Sequence, residues 1–230
     1  MVKGKIFAVI GLGSFGFEIC REISGKGGKV IAIDNDPKKI DKIKDVVMQA
    51  ILIDSRDEES LAKASLENID VAVVAIGENL ESSIITTALL KKLNIPQIIS
   101  RASSDIHAQV LRQIGATEII NLEIEEGRRL ANKLMSPNVL ERIPISNNQV
   151  FAEIIAPVSF VGKTLLQIDL RNKANINVIS IKRSELRIDD MGNPIKEEIV
   201  IIPKANEIIQ PSDVLAVVGN DNDIEIIKEM

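Results

Sequence analysis

The chain has 230 residues, 45% hydrophobic and 27% charged, enough for one large globular domain or two modest ones. A net charge of −5 disfavours a general grip on nucleic-acid phosphates, and the absence of Trp and Tyr removes the stacking platforms of single-strand binders. The single cysteine, Cys20, excludes an intrachain disulfide and a cysteine metal cluster, and the single histidine, His107, would have to carry any histidine-based catalysis alone.

No apolar run approaches the roughly 20 residues that cross a bilayer, and the start of the chain lacks the cationic pattern of a secretion signal. A cytoplasmic protein is expected.

The first half alternates strand-like and helix-like segments. Lys5 to Ile10 reads as a buried strand. Ser14 to Ser24 reads as a helix, with Phe15, Ile19, Cys20 and Ile23 at helical spacing, stopped by Gly25, Gly27 and Gly28. Val30 to Ile33 is a second strand, and Pro37 suits the first turn of the next helix, which buries Ile40 and Ile43. Residues 46–54 form a third strand region, and Asp57 can cap a helix running through Leu61. The continuous apolar run 71–76 is a fourth strand of a sheet covered on both faces. A helix over Leu80 to Leu93, a strand at 97–100, a helix from Ser104 to Ile114 and a short strand at 118–120 follow. Repeated strand–helix units with short connections predict an α/β fold, a doubly wound parallel sheet.

The pattern changes near residue 121. Residues 123–135 read as a further helix with Ile124, Leu130 and Leu134 inward, and 136–149 read as a hinge. Beyond it, strands are expected at 150–157, 176–183, 199–203 and 213–219, then a short helix at 223–230. The expected organisation is a first domain over 1–135, the hinge, and a small α+β domain over 150–230.

The stretch "FAVIGLGSFG" carries the first chemistry. Gly11 permits a tight turn out of the strand, Gly13 lets a pyrophosphate approach the backbone, and Gly16 lets the helix pack close to the sheet. The helix N-terminus offers free N–H groups to an anion. Asp34 lies roughly twenty residues on, where a carboxylate can accept ribose hydroxyls. A Rossmann-like site for an adenine nucleotide or dinucleotide follows, against the alternative of a glycine turn kept for packing. Asp36 fits either the ribose or a helix N-cap. Asp54 and Ser55 end the third strand and either border the base or cap a loop. Gly77, Glu78 and Asn79 follow the fourth strand beside the same crevice. Arg101 follows the fifth strand and either reaches a phosphate or forms a surface ion pair. His107 sits in a helix with nothing local to orient it and is expected to be solvent-facing or half-buried. The chain has no G-x-x-x-x-G-K-[ST] cradle for phosphoryl transfer, so sensing of the nucleotide is favoured over its turnover.

Several stretches in order resemble the KtrA/TrkA group of RCK-domain proteins, regulatory subunits of bacterial potassium uptake. They are the glycine turn with "IAIDNDPKKI", "LIDSRDEESL", "VAVVAIGENLESSIITTALLKKL" and "IGATEIINLEIEEGRRLA", and in the second half "VGKTLLQIDLRNKANINVISIKR" and "IIPKANEIIQPSDVLAVVG". The length is similar to the single-RCK KtrA form. The resemblance implies a non-enzymatic subunit, dimeric through its RCK domains and forming a ring, typically an octamer, beneath a membrane potassium-translocating partner. It implies ATP or ADP, in some relatives NAD(H), bound at Gly11, Gly13, Ser14, Phe15 and Gly16. Asp34, Asn35, Asp54, Ser55, Ile76, Gly77, Asn79 and Arg101 complete the implied nucleotide site. Ser14 stands where the family often has an arginine for a terminal phosphate, which brings ADP, AMP or NAD(H) forward. Glu123 matches a family acid near the dimer seam, which the resemblance makes a place for a divalent or monovalent cation, while the residue itself reads at least as well as a helix N-terminal acid complementing the dipole. Some family members also bind cyclic di-AMP between two second lobes, and the matching positions are Ile168, Arg171 and Pro203, of which Ile168 and Pro203 read equally as ordinary dimer core. The implied location is the inner face of the cell membrane, reached through the partner.

Overall fold

The computed structural model describes residues 4–64, 66–136, 138–188 and 193–227. The chain divides into two compact units, residues 1–127 and 128–230.

In the first unit β1 (Ile6–Ile10), α1 (Ser14–Gly25), β2 (Lys29–Asp34), α2 (Pro37–Ile43), β3 (Gln49–Leu52) and α3 (Glu58–Lys63) follow one another. Next come β4 (Val71–Val74), α4 (Leu80–Lys92), β5 (Gln97–Arg101), α5 (Asp105–Ile114) and β6 (Glu118–Ile120), and then α6 (Leu122–Met135) begins. The six strands are all parallel, in the order β3-β2-β1-β4-β5-β6. The order reverses between β1 and β4, and the crevice at such a switch point is where this class of sheet binds ligands.

Alternation along β1 explains the two-sided burial. Ala8 and Ile10 pack with Leu61, Leu66, Leu90 and Ile98 on the side of α3 and α4. Val9 packs with Cys20 and Ile43 on the side of α1 and α2. Helix α4 buries hydroxyls, and its Ser83, Thr86 and Thr87 have no exposed surface. Thr86 meets the Ser55 hydroxyl at 2.7 Å, and Thr87 meets that of Ser100 at 3.0 Å and donates to the Ser83 carbonyl at 2.8 Å. Pairing offsets the cost of burying the Thr86 and Thr87 hydroxyls, whereas the Ser83 hydroxyl has no partner among the described residues.

The edge strand β3 is shorter than the expected 46–54. Only four rungs pair it with β2, from Ile31–Gln49 to Asp34–Leu52, and Val46, Met48 and Leu52 remain exposed. Apolar character alone overstates a strand that has one neighbour. Helix α6 contains no buried residue, and Leu130, Leu134 and Met135, of which the first two were expected to face inward, are 58, 72 and 82% exposed.

The second unit holds β7 (Val139–Pro144), β8 (Gln149–Ile155), α7 (Leu165–Ile168), α8 (Leu170–Ala174), β9 (Asn177–Ile188), β10 (Pro194–Ile201), β11 (Val214–Asn220) and α9 (Asp221–Ile226). Its strands are antiparallel in the order β10-β9-β11-β8-β7. Residues 136–149, expected as a hinge, contain β7, which pairs with β8 across a register shift. Strands β9 and β10 run past the expected 176–183 and 199–203 because a charged arm pairs across them, from Ile181–Ile201 to Ile188–Pro194. The capping box of Thr164 and Gln167 starts α7, an element the reading of periodicity passed over. Inside this unit Arg183 donates to both oxygens of the fully buried Asp213 at 2.9 and 2.8 Å. Residues 228–230 of the expected last helix, and Pro137 of the expected hinge, lie outside the described residues. No helix among the described residues is long and apolar enough to cross a membrane.

Candidate functional site

The carboxyl ends of β1, β2 and β4 open into a cleft of about 900 Å3, lined wholly by the first unit. The turn after β1 forms one wall. Gly11 has φ +94°, in the region that favours glycine, and its N–H donates to the Ile33 carbonyl at 2.8 Å. A methyl group on Gly16 would lie 1.9 Å from the Gly11 carbonyl oxygen, so this glycine serves the contact between turn and helix. A methyl group on Gly13 would meet no atom within 4 Å, so packing within the chain does not require this glycine, and the backbone there is open to a ligand.

Gly13 is also the N-cap of α1, and no side chain caps the helix. The first turn carries no acid. Its leading N–H groups and the positive end of the helix dipole therefore stand ready for an anion.

Asp34 closes β2 and is 6% exposed. Its Oδ2 accepts the Leu12 N–H at 2.6 Å and its Oδ1 accepts the Asp36 N–H at 2.9 Å. Lys39, in the first turn of α2, donates to Oδ2 at 3.3 Å. Asp36 itself caps α2 by accepting the Lys38 N–H, which resolves its two readings toward the cap.

Asp54 lines the cleft after β3, but its carboxylate is gripped by Arg56, whose Nη2 donates at 2.6 Å and Nε at 3.0 and 3.1 Å. The guanidinium holds the Asp54 carboxyl below the usual carboxylate range. Ser55 turns its hydroxyl to Thr86, so it fixes the wall rather than presenting a donor. After β4, Ile76, Gly77, Glu78 and Asn79 line the cleft, and Asn79 caps α4 by accepting the Ser82 N–H at 2.9 Å.

Arg101, at the end of β5, donates through Nη2 to Glu123 in the first turn of α6. That contact holds the Glu123 carboxyl below its ordinary range. The guanidinium lies over Gly77, where a methyl group would come within 2.5 Å of Cζ and Nη1.

The cleft therefore gathers Gly11, Gly13, Ser14, Phe15, Asp34, Asn35, Asp54, Ser55, Ile76, Gly77, Asn79, Arg101 and Glu123 of the expected residues. Gly16 stands behind the turn. Lys39, Ser82, Leu122 and Glu126 line it as well and were not singled out from the sequence. Lys39 could have been found, because the first turn of a helix that follows a Rossmann acid faces the same sheet edge. The lining carries five carboxylates, of Asp34, Asp54, Glu78, Glu123 and Glu126, against the cations Lys39 and Arg101.

The open backbone at Gly13, the uncapped α1 and the acid at Asp34 fit a nucleotide. They do not extend to a cation held by one chain. Glu123 is engaged by Arg101, and among the described residues no cluster of three or more His, Cys, Asp or Glu side chains could hold a metal ion.

His107 differs from the expectation. It lies on the buried face of α5 with Ala108 and Leu111, is 4% exposed, and stands outside the cleft lining. Its Nδ1 accepts the Ser103 N–H at 3.3 Å. In the second unit Ile168 is 4% exposed and packs in the core, so it presents no face to a ligand, while Arg171 lies on α8 and is exposed. Pro203 follows β10 and is half-buried.

A family model of the TrkA-N domain matches residues 7–122, and one of the TrkA-C domain matches residues 151–230. The chain is 39% identical over 220 residues to Ktr system potassium uptake protein C of Bacillus subtilis, covering 96% of this chain and 94% of that protein. It is 32% identical over 224 residues to Ktr system potassium uptake protein A of the same organism, covering 97% and 96%. Among solved structures, the GsuK channel is similar with a TM-score of 0.66 at 15% identity, over 97% of this chain and 39% of that one. The GsuK channel bound to NAD gives 0.62 at 14% identity, over the same shares. GsuK bound to ADP gives 0.52 at 12% identity, over 58% of this chain and 35% of that one. At these identities the likeness to GsuK is one of fold, and this chain spans less than half the length of those solved chains.

Proposed function

This chain belongs to the family of TrkA-N and TrkA-C proteins that includes the Ktr system potassium uptake proteins, and from that premise we propose that it is a nucleotide-sensing regulatory subunit of a potassium uptake system. The ligand is an adenine nucleotide: ADP, ATP, AMP or NAD(H). It is bound and released, and the chemistry of the phosphates is left untouched. The observation that carries the reading is that the open glycine turn and Asp34 stand side by side in the cleft. The open backbone at Gly13 and the uncapped start of α1 suit phosphates, and the Asp34 carboxylate suits ribose hydroxyls. Solved relatives of the same fold holding NAD and ADP support it.

Two or more copies act together beneath a membrane partner that carries the ion, in the cytoplasm at the membrane's inner face. The exposed apolar side of α6 suits association of copies, and a ring of eight is the form the family resemblance favours. A ligand that binds one arrangement of the copies more tightly shifts the population toward it, and equal affinity shifts nothing. Glu123 meets a cation only if a bound phosphate or a neighbouring copy supplies the remaining ligands.

The test is extraction of ligand from the purified protein and its identification by mass spectrometry, followed by nucleotide titration of potassium flux in vesicles holding the membrane partner. An adenine nucleotide that alters flux and is recovered intact is the expected result. Steady conversion of the nucleotide, or flux indifferent to it, overturns the reading.

A further inference from the structure

We propose that Lys39 is a specificity-determining residue, a second contact for the ribose that reads one of its two hydroxyls while Asp34 reads the other. The inference rests on the nucleotide reading of the cleft and deepens it.

Most acceptor positions of Asp34 are already taken. A carboxylate offers about four, two on each oxygen. The Leu12 N–H takes one on Oδ2, and the Asp36 N–H takes one on Oδ1. The Lys39 ammonium takes a second on Oδ2 at 3.3 Å. A position remains on Oδ1, which suits one hydroxyl of a ribose.

Lys39 is equipped to serve the other hydroxyl. An ammonium carries three N–H donors, and Asp34 is the one partner of Lys39 among the described residues. The side chain lines the cleft and is 41% exposed, so a ligand can reach it. Helix stability does not account for this cation. Lys39 stands in the first turn of α2, where the dipole opposes positive charge and no acid is present to offset it. Side chains of a helix lean toward its N-terminus, and in α2 that direction leads back to the end of β2 and to Asp34. A hydroxyl can donate or accept. The carboxylate and the ammonium side by side therefore match a vicinal diol, one hydroxyl giving its hydrogen to Asp34 and its neighbour taking one from Lys39.

The experiment is calorimetric titration of wild type and Lys39→Met with AMP, 2′-deoxy-AMP and 3′-deoxy-AMP. Methionine keeps an unbranched stem and loses the ammonium. The ligands share base and phosphate, so their affinity ratios isolate the sugar. In wild type, removal of either hydroxyl is expected to weaken binding about three- to thirtyfold, between the worth of a neutral and of a charge-assisted hydrogen bond. In the variant, AMP binds more weakly by a similar factor, and the penalty for one missing hydroxyl disappears while the other persists. The persisting penalty shows that the site is folded. A common loss for all three ligands, with unchanged ratios, would make Lys39 a support of the wall and overturns the inference. Unchanged affinities, or tighter AMP binding that would make the ammonium a rival for Asp34, overturn it as well. Each of these leaves the nucleotide reading standing. A wild-type protein that binds none of the three ligands overturns the nucleotide reading itself.

Discussion

The carboxylate of Asp34 accepts the backbone N–H of Leu12 at 2.6 Å, so the acid at the end of the second strand holds the glycine turn at the end of the first. Twenty-two residues separate the two in sequence. One oxygen also receives Lys39, and the other receives the Asp36 N–H. Asp34 is thus both a ribose acceptor in the proposed site and a strut of its wall.

Asp34→Ala is predicted to act on both. Loss of hydrogen bonds to a charged acceptor weakens adenine nucleotide binding about ten- to a hundredfold. The buried Leu12 N–H left without a partner costs about 1–3 kcal/mol of stability. Titration calorimetry and urea unfolding measure the two separately. An unaltered nucleotide affinity counts against the ribose role.

Gly13 and Gly16 are predicted to separate binding from folding. Gly13→Ala places a methyl group in open space on extended backbone (φ −68°, ψ −176°), so stability falls by under about 1 kcal/mol while nucleotide affinity drops at least about tenfold. Gly16→Ala drives a methyl group into the Gly11 carbonyl and costs about 1–3 kcal/mol or more. Thermal unfolding beside titration distinguishes the pair, and equal destabilisation by both contradicts the assignment of their roles.

Arg101→Ala is predicted to discriminate among ligands. Adenosine binds as before, whereas ADP loses about ten- to a hundredfold, the worth of a charge-assisted hydrogen bond. Equal losses for adenosine and ADP would show that Arg101 supports the fold and does not meet phosphate.

His107 predicts a pH dependence of stability. Burial disfavours the imidazolium and pulls its pKa below the ordinary 6.5. The unfolded chain therefore takes up a proton at a higher pH than the folded one. Stability is full above 6.5 and declines as pH falls below it, toward the lower folded value. His107→Asn, which keeps an acceptor near the position of Nδ1 and does not titrate, should show a smaller drop in urea midpoint between about pH 7.5 and about pH 5.5. Parallel declines in both proteins would assign the effect to carboxylates.

What the sequence by itself determined is local in origin. Strand and helix alternate in the first half because apolar residues follow periods of two and 3.6. The glycine turn and Asp34 share a cleft because a strand–helix–strand unit of this length returns the chain to the same sheet edge. The caps at Asp36 and Asp57 follow from short polar side chains placed just before helical runs.

Only the tertiary structure decided what each charged group touches. Arg56 on Asp54 is two residues away, but Lys39 on Asp34 and Glu123 on Arg101 join different elements. That Arg101 holds a carboxylate at all depends on β5 and the start of α6 converging at one corner of the cleft. The same holds for His107, which the fold packs against a core instead of water. The length and the exposed face of β3 were settled by its having a single neighbour. The physical reason is common to all of these. Periodicity and spacing report which way a residue faces along its own element, whereas ion pairing and burial depend on which other element arrives opposite it, and no local pattern encodes that.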